Sequence, residues 1–244
     1  MFVTQQDISP RFLAAGDTAL VVDFGTTVDP ALIAAVQALD RAVAAAKLPG
    51  VVETVPSFRS LMIHYDPLVT TGAALAEAVA ALDRSATGPQ QEVRHWSLPC
   101  CYAAEFGPDL DHVAQATGLD ISAVIEAHAA AGFTVAMLGF LPGCPFLSGL
   151  DKRFDLPRRT EPRTRLAAGS VAVAQTLSVI YPTESPGGWH LIGNCPLPLF
   201  DPGRSPPALL APGDQVRFRP VDAAEHARIR AARDYDPVRE CRQS

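Results

Sequence analysis

Apolar and polar positions in the first third of the chain form a pattern of short strands and amphipathic helices. A continuously apolar run from Ala19 to Phe24 follows a turn at Gly16 and Asp17, and it predicts a buried strand. Asp29 and Pro30 supply an N-cap and a first-turn proline for the helix that follows. The apolar side chains of this helix recur at helical spacing: Leu32, Ile33, Val36, Leu39 and Val43.

Two further strands and a second helix follow in this part of the chain. Residues 51–55 and 61–65 are short β-rich runs, and residues 73–82 have helical spacing of their leucines and valine. With a further strand predicted at 93–101, this order is the split βαβ pattern. We therefore predict that residues 1–88 form a ferredoxin-like α+β domain, with a linker at 85–89 where polar residues, glycine and proline break the pattern.

The pattern changes after Gly107. Two short helices are predicted at 110–117 and 122–131, and beyond Phe133 the chain consists of short β segments separated by glycine or proline. These segments are 135–138, 169–174, 177–181, 189–192, 197–200 and 215–219. Such spacing is typical of a small closed β-barrel, which we place at 89–222, and residues 223–244 are predicted to form a terminal helix and tail.

Composition narrows the function classes. Of the 244 residues, 48% are hydrophobic and 19% are charged, as expected of a globular protein, and a net charge of −6 argues against sequence-independent binding to nucleic acid. No apolar run reaches membrane-spanning length and no secretory leader is recognisable, so we expect a cytoplasmic protein that binds neither membrane nor nucleic acid. The five cysteines lack a Cys-x-x-Cys pair and the six histidines lack ligand spacing, so no bound metal is predicted.

Arginines are concentrated just before a glycine pair. Arg153, Arg158, Arg159, Arg163 and Arg165 lie within a proline-containing stretch of a chain whose only lysines are Lys47 and Lys152. Guanidinium groups suit bidentate contact with carboxylate or phosphate, although each could instead belong to a solvated, salt-bridged edge with Asp151, Asp155 or Glu161.

Pro186, Gly187 and Gly188 predict a tight turn that presents Trp189 as the lip of a pocket. The alternative is a turn whose tryptophan only anchors the barrel.

Two other residues are candidates for chemistry. Cys144 lies in Gly139 to Gly149, a segment rich in glycine and proline that predicts an ordered loop without regular strand. It could act as a nucleophile with His128 or His190, or it could be inert packing. His128 could act as a general base, or it could be a helix histidine bonded to the backbone. The chain has no phosphate-binding loop, no Gly-x-Gly-x-x-Gly and no Gly-x-Ser-x-Gly.

Several segments, in order along nearly the whole chain, resemble one protein family. They are GD-x-AL-x-V-x-FG, SL-x-x-x-YDP, EFGPDLDHVAQATGL, the His128 region, GFLPG-x-P, PRR-x-x-PRTR, AGSVA, IYP-x-x-SPGGW-x-LIG and PALL-x-PGD-x-VRF. They are similar to the carboxyltransferase-domain proteins that include the B-type subunit of 5-oxoprolinase, allophanate hydrolase subunit 1 and the Kip-type inhibitor of histidine kinases.

The resemblance implies a cyclophilin-like β-barrel after the α+β domain. It also implies a subunit of an ATP-dependent 5-oxoprolinase, a hydrolase that opens the lactam ring of 5-oxoproline to give glutamate. Such a subunit would be inactive without a partner of related fold, the C-type subunit of the same enzyme, and a third subunit. ATP would then be a co-substrate of the complex. The alternatives are an inhibitor of a sensor histidine kinase, or a subunit of a urea carboxylase or allophanate hydrolase system. The chain has no Ala-Met-Lys-Met biotinylation sequence, so we expect no biotin on it.

The sequence departs from the family at three places. The first is Cys144 in GFLPGCPF, and the second is Gln175 to Ser178. The third is Asn194-Cys195, which stand in Gly193 to Pro196 where the family commonly has Gly-Arg-Thr-Pro. The candidate site residues are His128, Arg163 and Arg165 for catalysis, and Arg158, Tyr181, Ser185, Gly187, Gly188, Trp189 and Asn194 for substrate binding.

Overall fold

A computed structural model describes residues 10–83 and 93–232 of the chain. The chain divides into two compact units, Met1–Glu92 and Val93–Ser244. The predicted linker at 85–89 and the last part of the predicted C-terminal tail, residues 233–244, lie outside the described residues.

The first unit is a four-stranded antiparallel sheet with two helices. Its elements are β1 (Arg11–Ala14), β2 (Ala19–Asp23), α1 (Pro30–Ala46), β3 (Val51–Pro56), β4 (Ser60–Tyr65) and α2 (Gly72–Ala80). The strand order β1-β2-β4-β3 places β4 between β2 and β3, which is the split βαβ arrangement predicted from the sequence. As predicted, Asp29 caps α1 by accepting a 2.7 Å hydrogen bond from Ala31 N, and Ile33, Val36, Leu39 and Val43 are buried beneath the helix.

The edge strand of this sheet differs from the prediction. The segment predicted as the further strand belongs to the second unit as β5 (His95–Cys101), and β1 occupies the edge beside β2 instead. Gly16 adopts a left-handed backbone (φ 70°), which turns the chain so that β1 and β2 pair as a hairpin. Arg11 and Asp23, directly opposite in the hairpin, also form a salt bridge. The signal that was missed is the glycine turn with a β-rich run on each side.

The second unit is built around a closed barrel of seven strands. After β5 come α3 (Leu110–Thr117), α4 (Ile121–Ala130), β6 (Phe133–Leu138), β7 (Pro145–Ser148) and a 3-10 turn (Lys152–Phe154). They are followed by β8 (Arg163–Leu166), β9 (Ser170–Ala174), β10 (Leu177–Ile180), β11 (Ser185–Gly187), β12 (His190–Asn194), β13 (Gln215–Val221) and α5 (Ala223–Ala231). The barrel order is β10-β7-β6-β13-β5-β12-β9, and β8 pairs with β11 in a separate two-stranded sheet. The predicted α+β fold with a β-barrel is therefore confirmed.

Three local predictions in this unit were wrong. The loop predicted at 139–149 contains β7, because Pro145 stands at the first position of a strand, where its missing N–H is tolerated. Pro186 and Gly187 are not in a tight turn but in β11, whose three residues pair only with β8, so the proline lies in an edge strand. Residues 197–200 form no strand, and Phe200 makes only an isolated bridge to Ala208.

Candidate functional site

A cavity of about 390 Å³ lies in the second unit between the barrel wall and the β8–β11 sheet. Its lining comes from β7 and the segment before it, from the arginine-rich segment before β8, from β10 and the residue after it, and from the end of β11 and the residues after it. The lining residues are Phe140, Cys144, Phe146, Arg158, Arg159, Pro162, Val179, Tyr181, Gly187, Gly188 and Trp189. This volume is at the lower end of the roughly 300–1,000 Å³ usual for small-molecule sites.

Two pairs of aromatic rings contribute to the cavity wall. Phe146 meets Trp189 edge to face with the ring centroids 5.8 Å apart, and Phe140 meets Tyr181 edge to face at 6.3 Å. Trp189 is only 5% exposed and forms part of the cavity wall. Of the two alternatives left by the sequence, its position in the wall is the one that the lining shows.

The wall is tightly packed around Gly187. A β-carbon there would lie 2.5 Å from Leu166 Cδ1 and 2.6 Å from the Tyr181 hydroxyl oxygen. A β-carbon at Gly188 would instead find its nearest neighbour, Pro162 Cγ, at an ordinary 3.5 Å. Gly187 therefore lets Tyr181 approach the backbone of β11, whereas space does not demand glycine at 188.

Two arginines bring positive charge to the cavity. The guanidinium carbon of Arg158 lies 5.5 Å from the centroid of the Trp189 ring, within cation–π range. Within the described residues Arg158 takes part in no salt bridge. Arg159 donates from Nη1 to Asp109 Oδ1 at 3.1 Å, while its buried Nε–H has no acceptor in the described part of the chain. Both arginines could therefore donate to an anionic ligand.

Asp109 is the residue that organises the arginine segment, and it was not among the residues selected from the sequence. Its carboxylate is 5% exposed and accepts two 2.8 Å hydrogen bonds from Arg163, one from Arg159 and one at 2.7 Å from Leu191 N. Burial raises the pKa of Asp109, but the hydrogen bonds from Arg163 and Leu191 and the charges of both arginines outweigh it, so the pKa lies below its usual value. Asp109 is therefore ionised at neutral pH.

A recognisable signal existed for this aspartate. Asp109 follows Gly107-Pro108 and immediately precedes α3, a position typical of an N-cap. It does precede the helix, but its side chain makes no capping hydrogen bond and binds the arginines instead. Local sequence cannot distinguish these uses, because the arginine partners lie about 50 residues further along the chain.

The two remaining polar side chains of the lining are neutral near pH 7. Burial raises the pKa of the Cys144 thiol to about 12. Burial, together with the nearby Cys144 and partly offset by Arg158, raises the pKa of Tyr181 to about 12. Neither group is a general base at neutral pH, and Cys144 is not an activated thiolate.

The cavity brings together five of the residues predicted to bind substrate: Arg158, Tyr181, Gly187, Gly188 and Trp189. Arg163 and Arg165, predicted to contact an anion, do not line it. Arg163 is held bidentately by Asp109, and Arg165 pairs at 2.7 Å with Glu184 and has a side chain 76% exposed. Both arginines thus fit the salt-bridged alternative, although with partners that were not foreseen.

His128, predicted to transfer protons, is fully buried in the barrel core and does not line the cavity. Its Nδ1 lies 2.7 Å from the Tyr102 hydroxyl and its Nε2 lies 3.0 Å from Ser178 Oγ. Because Ser178 Oγ donates to Ala172 O at 3.3 Å, it accepts from Nε2–H, so Nδ1 accepts from Tyr102. Burial lowers the pKa of His128 to about 3. This places a neutral, structural imidazole in the barrel, bonded to side chains rather than to the backbone.

Asn194 and Ser185 also lie away from the cavity lining. Asn194 donates to Ala168 O at 3.0 Å and accepts from His226 Nε2 at 2.8 Å, which ties β12 to α5. Ser185 is buried in β11, and its hydroxyl has no hydrogen-bond partner among the described residues. The departure at Asn194 therefore lies in the packing between the barrel and the C-terminal helix.

Residues 10–83 and 93–232 contain neither a metal cluster nor a membrane-spanning helix. No group of three or more of their His, Cys, Asp or Glu side chains is arranged to hold a metal ion. No helix in these ranges has the length and apolar character needed to cross a membrane.

The fold and the cavity define a class of protein: a four-stranded α+β unit followed by a closed barrel with an arginine-bearing aromatic cavity. The chain belongs to the family described as carboxyltransferase domain, subdomain C and D, whose family model matches residues 10–210.

Curated relatives include two B-type subunits of 5-oxoprolinase. The one from Bacillus subtilis strain 168 is 37% identical over 222 residues, covering 83% of this chain and 89% of that protein. The one from Escherichia coli O157:H7 is 39% identical, covering 71% of this chain and 79% of that protein. A urea amidolyase of Lachancea kluyveri is 27% identical over 91% of this chain, which corresponds to only 14% of that enzyme.

Solved structures are similar as well. The protein TTHA0988 superposes with a TM-score of 0.74 at 36% identity, covering 85% of this chain and 40% of that longer chain. PH0987 from Pyrococcus horikoshii has a TM-score of 0.54 at 37% identity, covering 88% of this chain and all of that one. The urea amidolyase of K. lactis has a TM-score of 0.74 at 26% identity, and this chain corresponds to 16% of it.

Proposed function

We propose that this chain is the B-type subunit of a 5-oxoprolinase complex, which hydrolyses 5-oxoproline to glutamate with consumption of ATP. The observation that carries the proposal is the similarity to the B-type 5-oxoprolinase subunit of B. subtilis, 37% identical and matched over 89% of its length. The cavity supports it, because 5-oxoproline combines a small ring with one carboxylate. Arg158 suits the carboxylate, and the faces and edges of Trp189 and Phe146 suit the ring.

The lining residues explain why such a subunit would need partners. Hydrolysis of a lactam requires activation of the carbonyl group and proton transfer near neutral pH. Among the described lining residues, Tyr181 and Cys144 remain protonated at neutral pH, and arginine is always protonated. We therefore assign binding and orientation of the substrate to this chain, and the proton-transfer groups to a partner subunit that meets it at the cavity.

The partners in this proposal are the C-type subunit of the same enzyme, which has a related fold, and a third subunit. ATP is a co-substrate of the whole complex. No Gly-x-x-x-x-Gly-Lys loop occurs in this chain, so its own sequence offers no phosphate-binding loop of that kind for ATP. The phosphate groups are therefore expected to be bound mainly by another subunit.

The proposal is tested by reconstitution. The chain is co-expressed with the candidate partner subunits, purified as a complex, and assayed for glutamate and inorganic phosphate released from 5-oxoproline and ATP. We expect both products in a fixed ratio, and neither from this chain alone or without ATP. If this chain co-purifies with its partner subunits but the complex releases no glutamate, the proposal is contradicted.

The similarity to urea amidolyases supports a second candidate. In this candidate the chain is a subunit of an enzyme that transfers a carboxyl group to urea or hydrolyses a product derived from urea. The same complex is assayed with urea and allophanate in place of 5-oxoproline. Turnover of these compounds without turnover of 5-oxoproline would favour this candidate. Inhibition of a histidine kinase stays a prediction from the family resemblance alone.

A further inference from the structure

The four hydrogen bonds to Asp109 make the two arginines that contact it unequal. Arg163 uses both terminal nitrogens on Asp109, so its fork is occupied. Arg159 uses only Nη1 on Asp109, and its guanidinium makes no other hydrogen bond within the described part of the chain. Its Nε is buried, but the residue lines the cavity and its side chain is 31% exposed, so the terminal nitrogens are the donors that a ligand can reach.

The backbone holds the same segment against the cavity wall. Arg159 N donates to Gly188 O at 2.7 Å, and His190 Nε2 lies 2.9 Å from Pro157 O. Asp109 itself is fixed to β12, because it accepts from Leu191 N while its own N donates to Leu191 O at 3.0 Å. The guanidinium of Arg159 is thus held from its backbone at one end and from Asp109 at the other.

The charges around the cavity favour a small anion. Asp109 offsets one of the two charges of Arg159 and Arg163, and Arg158 adds a charge that is balanced by no salt bridge within the described residues. The Arg158 guanidinium lies over the face of Trp189, while the Arg159 guanidinium is bonded to Asp109. The two guanidiniums therefore present donors from different residues to one cavity.

We propose that Asp109 is a positioning residue: it sets the guanidinium of Arg159 so that Arg158 and the second terminal nitrogen of Arg159, Nη2, together bind the carboxylate of a small cyclic ligand. This inference rests on the proposed function for the identity of the ligand, 5-oxoproline. Beyond that function, the inference names the residues that select the carboxylate and the aspartate that holds Arg159 in place. Asp109 does not touch the ligand, and it acts through Arg159.

The test uses a pair of ligands that differ only in charge. Binding of 5-oxoproline and of its neutral carboxamide to the purified full chain is measured by isothermal titration calorimetry, with melting temperatures recorded for every variant. We expect the unmodified chain to prefer the carboxylate at least tenfold. Asp109→Asn removes the negative charge and one of the two carboxylate oxygens that hold the arginines. It should weaken 5-oxoproline binding at least tenfold while carboxamide binding changes less than threefold.

Two further variants keep the test decisive if Asp109→Asn does not fold. Arg159→Lys keeps the charge and can still pair with Asp109, but it lacks the planar fork and the second terminal nitrogen, so the preference for the carboxylate should again fall at least tenfold. Arg153→Ala is the matched control, because Arg153 pairs with Asp151 on the surface and both side chains are about half exposed. This control should leave both affinities unchanged.

The inference is overturned by any of three outcomes. These are equal binding of the two ligands by the unmodified chain, unchanged 5-oxoproline binding in Asp109→Asn and Arg159→Lys, or an equal loss of both ligands, which would indicate only a structural role. The proposed function is judged separately, by turnover in the reconstituted complex with the unmodified chain. If the reconstituted complex turns over 5-oxoproline but the variants still bind it normally, only the inference is contradicted. If the unmodified chain selects the carboxylate as expected but the complex does not turn over 5-oxoproline, only the proposed function is contradicted.

Discussion

The guanidinium of Arg158 lies over the indole ring of Trp189, 5.5 Å from its centroid, and both residues line the same cavity. The ring holds the cation in place without neutralising it, so the charge stays available to a ligand. Arg158 and Arg159, rather than Arg163 and Arg165, therefore carry the anion binding that we propose for the second unit.

Arg158→Ala is expected to lower kcat/KM of the reconstituted complex for 5-oxoproline about 10- to 100-fold, because a charge-assisted hydrogen bond contributes about 1.5–3 kcal/mol. The kcat/KM of Arg158→Lys should lie between those of Arg158→Ala and the unmodified chain, since lysine keeps the charge but loses the guanidinium fork and the stacking on Trp189. Arg153→Ala is the control and should match the unmodified chain. Steady-state kinetics of phosphate release measure all three, and an unchanged kcat/KM in Arg158→Ala would contradict the assignment.

Gly187→Ala and Gly188→Ala form a matched pair that tests the packing of the wall. The new methyl group at 187 would lie 2.5 Å from Leu166 Cδ1, so we expect a loss of about 1–3 kcal/mol in the free energy of unfolding. At 188 the nearest atom is 3.5 Å away, so the change should be within about 0.5 kcal/mol. Urea denaturation of both variants gives the comparison, and equal losses would show that the wall is not as tightly packed as the distances indicate.

The Cys144 thiol should react slowly with alkylating reagents. Since burial raises its pKa to about 12, its thiolate fraction at pH 7.5 is roughly a thousandfold below that of an ordinary cysteine. Treatment with iodoacetamide followed by peptide mapping should show correspondingly slow modification of Cys144, accelerating as the pH rises. The Cys144→Ser variant identifies the peptide. Rapid modification at neutral pH would instead support the nucleophile considered from the sequence.

The buried, neutral His128 should make the protein less stable to unfolding as the pH falls. Its pKa is lowered by burial from an ordinary 6.5 to about 3, so the unfolded chain binds a proton below pH 6.5 that the folded chain excludes. This contribution is fully present above pH 6.5 and is lost as the pH falls. Between pH 6.5 and 4.5 the loss is about 2 kcal/mol in the free energy of unfolding.

Urea denaturation at several pH values measures this slope, and His128→Gln should reduce it. The pKa of His226 is also lowered, mainly by burial and by the charge of Arg230, so a smaller slope should remain in the variant. Above pH 4.5 the lowered carboxyl pKa values of Asp23 and Asp109 contribute little, which isolates the histidines. A slope in His128→Gln equal to that of the unmodified chain would contradict the assignment.

Sequence patterns predicted most of the regular elements because those elements depend on local chemistry. The apolar spacing of α1 and its Asp29 cap, the helix at 110–117 and the apolar runs that mark β9 and β10 are all present in the structure. The short strands β7 and β11 were missed because they contain proline or glycine, which strand propensity disfavours, and β8 was missed because only one of its four residues is apolar. Pairing with a neighbouring strand decided their conformation instead.

The sequence by itself determined the two-part α+β and β-barrel organisation and the presence of arginines, glycines and an aromatic residue suited to a small-molecule site. Only the tertiary structure decided which of these residues share the cavity. Arg158 faces Trp189 while Arg163 is bound by Asp109, 54 positions away in the chain. Ion pairs between distant segments depend on how the barrel closes, and local periodicity carries no information about that closure.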